Sequence, residues 1–169
     1  VILPKDARLL YVNDSKQLSE KKREELYDVI MKEAVSVGIG IASPERIDEI
    51  NILQADYEAM REAVSQLTPQ PDILLNDAVI IPELTMKQIS IIKGDAKSLS
   101  IASASIIAKV TRDRLMYEYD KLYPEYGFAS NKGYGSKMHI EAIKRLGPCP
   151  IHRRTFINNF VEENNTKEK

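Results

Sequence analysis

Two aspartates occupy positions from which a carboxylate could bind a divalent metal ion. Asp113 lies between Arg112 and Arg114, near the end of a stretch rich in Ala and Ser. Asp77 follows the apolar residues 73–75, at the end of a predicted strand. Functional groups in α/β sheets collect at strand ends, and carboxylate oxygens are ligands that Mg²⁺ prefers. A pair of metal ions beside a phosphate needs acidic oxygens from several elements, and two aspartates are too few to supply them.

Each aspartate also has an ordinary structural interpretation. Asp77 precedes Ala78 and fits a strand-to-turn position. Asp113 stands four residues after Lys109 and fits an ion pair on an exposed helix. Taken one at a time, the two residues leave the choice between structure and chemistry open.

A glycine-rich loop at residues 131–136, Asn-Lys-Gly-Tyr-Gly-Ser, is the second candidate site. Two glycines around Tyr134 let the backbone approach a ligand and present the ring to a sugar or a base. Lys132 and Lys137 offer phosphate contacts. The same pattern fits a loop built around a core tyrosine. A nucleotide-triphosphate loop is excluded because the Gly-x-x-x-x-Gly-Lys spacing is absent.

Two shorter motifs offer further contacts to phosphate. Residues 152–156, His-Arg-Arg-Thr-Phe, form a basic segment with His152 near a reaction centre, or else a terminal segment with solvated arginines. In residues 13–16, Asn-Asp-Ser-Lys, the Ser15 hydroxyl and the Lys16 ammonium would hold a phosphate, or the four residues form only a turn. His139 is predicted to lie on a helix surface.

Helical and extended patterns alternate along the chain, and these elements must position the candidate residues. Capping serines precede periodic apolar residues at Ser19, Ser43 and Ser136. The small side chains of the Ala- and Ser-rich stretch let a helix pack closely against a sheet. The predicted helices are 19–34, 43–67, 98–122 and 136–147, and the predicted strands are 9–12, 35–41, 72–77 and 88–92. This order indicates an α/β domain over residues 1–157, followed by a polar tail at 158–169 that we expect to be disordered.

Composition and charge exclude several classes of protein. The 169 residues, 43% of them hydrophobic, suffice for one domain with a real core. A single cysteine, Cys149, excludes an internal disulfide and a cysteine-based zinc site. The sequence has no apolar run of membrane-spanning length and no signal segment, which favours a cytoplasmic location.

The net charge of −1 conceals an asymmetry along the chain. Residues 1–85 carry a net charge of −7, whereas residues 86–155 carry +7. Such polarity indicates that the basic region meets a polyanion, although an uneven solvated surface would have the same composition.

Together these motifs resemble one family, ribonuclease HII, the type 2 ribonucleases H. The Lys-Gly-Tyr-Gly-Ser loop favours type 2 over type 3. The matching segments cover residues 1–157 in the family's order, and they are 13–19, 51–55, 93–114, 132–136 and 152–156. The resemblance implies a ribonuclease H-like mixed sheet flanked by helices, with a helical C-terminal part.

The same resemblance implies a monomeric endonuclease that depends on Mg²⁺ or Mn²⁺. Its substrates would be the RNA strand of RNA–DNA hybrids and the 5′ side of single ribonucleotides in duplex DNA. Water activated between two metal ions would attack the phosphorus in line. Asp77 and Asp113 would be two of the four metal-binding acids, and Tyr134 would pack against the deoxyribose at the RNA-to-DNA junction. The other implied substrate contacts are Ser15, Lys16, Lys97, Ser98, Lys132, Ser136, His152 and Arg153.

The sequence also departs from the family's pattern. The family begins with a strand carrying Asp-Glu and then a Gly-Arg-Gly loop, which are absent here. The first residue, Val1, lies inside an apolar run, so we expect further residues upstream. Asn76 stands where an apolar residue is usual, and Ser103 replaces a common alanine. We therefore predict little or no activity for this chain alone.

Two interpretations outside the enzyme class remain open. The basic region and Tyr134 would also suit a non-catalytic nucleic-acid-binding module, whose duplex binding would be sensitive to salt but independent of metal. A metabolic α/β domain that binds a small phosphorylated ligand at the glycine loop would have no affinity for duplexes.

Overall fold

The computed structural model describes residues 1–9, 12 and 15–165, with side chains described as far as Val161. Helices dominate, and a small parallel sheet lies between the third and fourth of them in chain order. The helices are α1 (Glu20–Glu33), α2 (Pro44–Ile50), α3 (Ile52–Ser65), α4 (Leu99–Leu122), α5 (Phe128–Asn131), α6 (Lys137–Leu146) and α7 (Arg154–Asn165). The strands are β1 (Ile73–Asp77) and β2 (Lys87–Ile91), and 3-10 turns cover Ser15–Gln17, Gly94–Ala96 and Pro124–Tyr126. Within these residues no helix has both the length and the apolar character needed to cross a membrane.

The contacts divide the chain into two compact units, each with its own core. The first contains Val1–Ile41 and Asp56–Thr111, and the second contains Ala42–Ala55 and Arg112–Lys169. This division differs from the predicted one, a domain at 1–157 and a tail at 158–169. Helix α4 belongs to the first unit up to Thr111 and to the second from Arg112.

The sheet of the first unit confirms the two strands predicted at 72–77 and 88–92. Strands β1 and β2 pair in parallel, with Ile73 opposite Lys87 and Asp77 opposite Ile91. Leu74 and Asn76 point to the buried face, and Ile73, Leu75 and Asp77 point to the exposed face. Alternation along β1 therefore leaves Asp77 at the carboxyl end of the strand on the exposed side.

Helix α4 confirms the helix predicted over 98–122. The Ser98 hydroxyl accepts a hydrogen bond from the Ile101 N–H at 3.4 Å, near the start of the helix. In the first unit, Ile106 and Val110 form a core with Leu26 and Ile30 of α1. A long helix with little difference between its faces is stable here because burial, rather than amphipathic patterning, holds it.

Residues 35–41 do not form the predicted strand. Only Ser36 is paired, in an isolated antiparallel bridge with Ile2. Further along, the side chain of Gln66 bonds both the N–H and the carbonyl of Ile39. The alternating apolar residues therefore report an extended backbone correctly, but side chains replace most of the ladder that would make it a strand.

Glycines explain how this extended segment lies so near α3. A Cβ at Gly38 would overlap the carbonyl of Ala63, and one at Gly40 would overlap the carbonyl of Ala59. Any side chain at either glycine would push the segment away from the helix.

The helix predicted over 43–67 is broken at Asn51. This residue ends α2 with a positive φ of 69°. Its Oδ1 then accepts the N–H groups of Leu53 and Gln54, at 3.0 and 3.1 Å, and so caps α3. Asparagine adopts a positive φ more often than most residues and is a good N-cap, which is why the break falls at this residue.

The tail predicted to be disordered from residue 158 is helical as far as Asn165, and residues 166–169 lie outside the described part. Ile157 is buried in the core of the second unit, and Phe160 and Val161 pack against that core. Their spacing of three and four residues is a helical stripe, a signal that the polar composition obscures. Of the predicted strand 9–12, residues 10 and 11 are not described.

Candidate active site

Asp77 holds the turn that follows the neighbouring strand. Its Oδ1 accepts the backbone N–H of Gly94 at 2.8 Å. Gly94 is buried, and a Cβ there would come within 2.5 Å of the Ile101 Cδ1. Asp77 therefore has a structural contact, although it holds the turn after β2 and not its own turn at Ala78. The other oxygen, Oδ2, has no hydrogen bond to any described residue, and the Asp77 side chain is exposed.

Asp113 lies in the second unit and is only 3% exposed. An ionised carboxylate at that depth needs compensation from cations, hydrogen bonds or a metal. Asp77, by contrast, belongs to the first unit. Nowhere in the described part of the chain do three His, Cys, Asp or Glu side chains gather as a metal site.

A positively charged cluster lies beside the exposed ring of Tyr134, in the second unit. The Arg112 guanidinium carbon is 5.2 Å from the centre of that ring, within the range of a cation–π contact. Tyr134 is 61% exposed, so the alternative of a core tyrosine is wrong. Gly133 has a φ of +76°, which favours glycine, and this glycine turns the backbone beside Arg112.

Arg153 completes this cluster. Burial first, and then the charge of Arg112, lower the pKa of the Arg153 guanidinium, while Asp48 and Tyr134 act in the opposite direction. The Arg153 guanidinium carbon also lies 3.8 Å from the centre of the Phe156 ring. Two arginines and a tyrosine thus converge, and the repulsion between the cations would be relieved by an anion.

Arg112 has one hydrogen-bonding group that the fold leaves unused. Its Nη1 is buried and has no hydrogen-bond partner among the described residues. A buried N–H of a permanent cation is costly to leave unpaired. Sequence reasoning missed Arg112 as a binding residue and treated it only as a neighbour of Asp113.

Lys132 does not point outward from the glycine loop as a phosphate contact would. Its side chain is buried, its ammonium donates to the Ala129 carbonyl at 2.6 Å, and it lies 3.4 Å from the centre of the Tyr117 ring. Lys132 therefore braces the loop from inside. Ser136 caps α6, its hydroxyl accepting the His139 N–H at 3.3 Å.

His152 and His139 are both interior residues, contrary to the helix-surface position predicted for His139 and to the phosphate contact predicted for His152. They are 6% and 4% exposed, and their Nε2 atoms are 3.0 Å apart. Burial, followed by the charge of His139, lowers the pKa of His152 to about 4. His152 is thus a neutral core residue at pH 7 rather than a phosphate contact.

The family model of ribonuclease HII matches residues 2–159. The chain belongs to the ribonuclease HII family. It is 70% identical over 161 residues to the ribonuclease HII of Lachnoclostridium phytofermentans, covering 95% of this chain and 63% of that protein. It is 56% identical to the ribonuclease HII of Clostridioides difficile, again over 63% of that protein. This ribonuclease HII chain thus spans less than two thirds of the length of those relatives.

Solved structures agree with the family. Ribonuclease H2 from Pyrococcus horikoshii is 27% identical, with a TM-score of 0.75, over 92% of this chain and 82% of that one. A ribonuclease HII of Archaeoglobus fulgidus, solved in a complex with PCNA, is 26% identical with a TM-score of 0.67, over 89% and 80% of the two chains. The predicted α/β ribonuclease H-like fold, with its helical C-terminal part, is confirmed.

The remaining predicted contacts of this ribonuclease HII lie in the first unit. Ser15 is buried and its Oγ is 2.7 Å from that of Ser105 on α4, so its hydroxyl is engaged within the protein. Lys16 and Lys97 are exposed, and Ser98 caps α4. Asn13 and Asp14 lie outside the described residues.

Asp48 is a structural residue that the sequence analysis did not find. Its two oxygens accept the N–H groups of Arg154 and Thr155, at 2.6 and 3.0 Å, at the start of α7. Burial acts to raise the pKa of Asp48, but the bonds from Thr155 and Arg154 outweigh it, and the pKa is lowered. Asp48 thereby fixes the segment that carries Arg153, a link over 106 residues without a local signal.

Proposed function

We propose that the ribonuclease HII containing this chain is a metal-dependent endonuclease that acts on nucleic acid. Its substrates would be the RNA strand of RNA–DNA hybrids and the 5′ side of single ribonucleotides in duplex DNA. The observation that carries the proposal is the family match over residues 2–159, which includes both aspartates and the Tyr134 loop.

Asp77 and Asp113 would hold Mg²⁺ or Mn²⁺. Hard carboxylate oxygens suit either ion, and Asp77 retains one oxygen that is not needed by the turn. The metal ions, when bound, would supply an activated water and neutralise charge on the phosphate. Further ligands would come from the substrate and from the Asp-Glu strand that the family resemblance implies upstream.

Arg112, Arg153 and Tyr134 would bind the substrate backbone. The Arg112 and Arg153 guanidinium groups would attract a phosphate through their two positive charges. The exposed Tyr134 ring, held on one face by Arg112, would pack against the sugar. These residues belong to the region of net charge +7, which is the sign that a polyanionic substrate requires.

The test is cleavage of a DNA duplex with one embedded ribonucleotide, in Mg²⁺ and in Mn²⁺, by the whole protein. We expect Asp113→Asn to abolish cleavage and to leave duplex binding mostly intact. Asp77→Asn is the sharper variant, because its amide oxygen still accepts the Gly94 N–H while the charge is lost. Cleavage that survives either substitution would contradict the assignment of metal ligands.

The 169-residue chain alone is the matched comparison. We expect it to cleave poorly or not at all, since it supplies two of the four metal-binding acids that the family resemblance implies. Salt-sensitive duplex binding by the whole protein, with no cleavage in either metal, would favour the non-catalytic module instead. We further expect a monomer in the cytoplasm, which size-exclusion chromatography and cell fractionation would test.

A further inference from the structure

A continuous chain of hydrogen bonds runs through the second unit to the glycine loop. The Tyr134 carbonyl is 2.9 Å from the His139 Nδ1, and the His139 Nε2 is 3.0 Å from the His152 Nε2. At the far end, the His152 Nδ1 accepts the backbone N–H of Cys149 at 3.0 Å. Both rings are buried, so no solvent competes for these nitrogens.

The two ends of this chain determine where the protons lie. The Cys149 N–H can only donate, so the His152 Nδ1 is an acceptor and the His152 proton is on Nε2. That proton is donated to the His139 Nε2, which places the His139 proton on Nδ1. From there it is donated to the Tyr134 carbonyl, which can only accept. One pair of tautomers therefore satisfies all three bonds.

Both imidazole rings must be neutral for this series of three hydrogen bonds to exist. A proton added to either imidazole would set two N–H groups against each other across 3.0 Å. The titratable groups that face the pair are Cys149, whose Sγ is 3.0 Å from the His152 Nδ1, together with Tyr126 and Arg154. None is an acid. The Phe128 ring covers both histidines, with centres 5.3 and 5.5 Å away. The surroundings thus favour the neutral pair.

The Tyr134 loop needs such an anchor. Glycines on both sides of Tyr134 impose little steric restriction on the loop, and the Tyr134 ring is mostly exposed. Its carbonyl is held by the Ser136 N–H at 2.8 Å and by His139. Of the two donors, only His139 links the loop to the interior.

We propose that the His139–His152 pair positions Tyr134 for substrate binding, with His139 acting on the loop and His152 setting the tautomer of His139. This proposal rests on the proposed function for the role of Tyr134. His139 and His152 are positioning residues, because neither contacts the substrate in this scheme. The pair couples the His-Arg-Arg segment to the glycine loop, two motifs that residues 137–151 separate in the sequence.

The first measurement needs no activity. Nitrogen-15 NMR of the histidine rings in the whole protein at pH 7 should show the proton on Nδ1 of His139 and on Nε2 of His152. Amide exchange of Gly133, Tyr134 and Gly135 should accelerate in His139→Leu. The opposite tautomers, a charged ring, or unchanged exchange would overturn the proposal even if the protein proved to have another substrate.

The second measurement is binding of a duplex with one ribonucleotide, followed by fluorescence anisotropy in the absence of divalent metal, so that binding is measured without cleavage. His139→Leu should weaken binding about three- to tenfold, the usual range for one buried hydrogen bond. His139→Asn should restore most of the loss, because its amide nitrogen can replace Nδ1 as the donor to the Tyr134 carbonyl. The exposed neighbour Met138→Ala is the control on the same turn and should bind as the wild type does.

A double-mutant cycle separates positioning from general stability. In a Tyr134→Ala background, His139→Leu should cause no further loss of binding if it acts through Tyr134. A loss equal to that in the wild-type background would overturn the proposal. If the wild-type protein binds and cleaves no such duplex, the proposed function fails, and the tautomers and loop exchange still decide the role of the pair.

Discussion

Ser103 on α4 should be a stabilising position for substitution by alanine. Its side chain is 0% exposed, and its Oγ has no hydrogen-bond partner among the described residues. A buried hydroxyl left unpaired costs about 1–3 kcal/mol. Alanine also has the higher helix propensity, by about 0.5 kcal/mol. Because alanine keeps the Cβ and leaves only a small gap, we expect Ser103→Ala to raise the free energy of unfolding by about 1–2 kcal/mol.

Ser105 provides a matched control on the same helix. Its Oγ is 2.7 Å from the Oγ of Ser15, which is buried. Ser105→Ala has the same gain in helix propensity but leaves the Ser15 hydroxyl without that partner, so we expect a net loss of about 1 kcal/mol. The difference between the two variants, about 2–3 kcal/mol, is independent of the propensity term.

Urea unfolding followed by circular dichroism measures both variants against the wild type. A gain of 1 kcal/mol corresponds to a melting temperature raised by about 2–4 °C in a chain of this size. If Ser103→Ala is destabilised as much as Ser105→Ala, the Ser103 hydroxyl has a partner, such as a buried water, and our reasoning about α4 is refuted.

Three further predictions concern the second unit. Arg112→Ala should weaken duplex binding and lower the slope of log affinity against log salt by about one ion. Substitution of the exposed Arg145 by alanine is the charge-matched control. An unchanged slope in Arg112→Ala would show that Arg112 is not part of the duplex-binding surface. Asp48→Ala should lower the free energy of unfolding by about 1–2 kcal/mol, because α7 loses its cap. Since the pKa of Asp48 is lowered in the folded state, the stabilisation by Asp48 should be lost as the pH falls through that lowered pKa. An acid unfolding curve of the variant identical to that of the wild type would exclude this role of Asp48. The pKa of His152 falls from 6.5 to about 4 on folding, so its contribution to the free energy of unfolding, at most about 3 kcal/mol, should be complete above pH 6.5 and decline towards pH 4. Urea unfolding of His152→Gln, measured over this pH range, should lack this dependence.

Local signals explain the elements that were predicted correctly. The capping serines Ser19, Ser43 and Ser136 each accept an N–H three residues later, so three helix starts could be located from the sequence. Strand β1 and helix α4 were similarly visible as an apolar run and a long stretch rich in small residues. In each case the signal lies within a few residues of the element that it specifies.

The errors fall where a distant partner decides. Residues 35–41 alternate like a strand, but their backbone groups are bonded by side chains such as that of Gln66, in the turn just after α3. Lys132 is an ordinary basic residue of a glycine loop until the Ala129 carbonyl and the Tyr117 ring draw its ammonium inward. No periodicity or composition encodes these contacts, because the partners come from other turns of the chain.

The sequence by itself determined the family resemblance, the α/β class and the loop that presents Tyr134, and it led to the prediction that Asp77 and Asp113 are metal ligands. Residue types and their order are sufficient for these, since metal ligands and glycine turns require specific chemistry at specific positions. Only the tertiary structure decided that Arg112 has a buried N–H without a partner among the described residues, that His152 bonds His139, and that Asp48 caps α7. Burial and hydrogen bonding arise only when side chains meet after folding. Residues of the same type can therefore become either exposed candidates for substrate binding or buried residues that hold the fold.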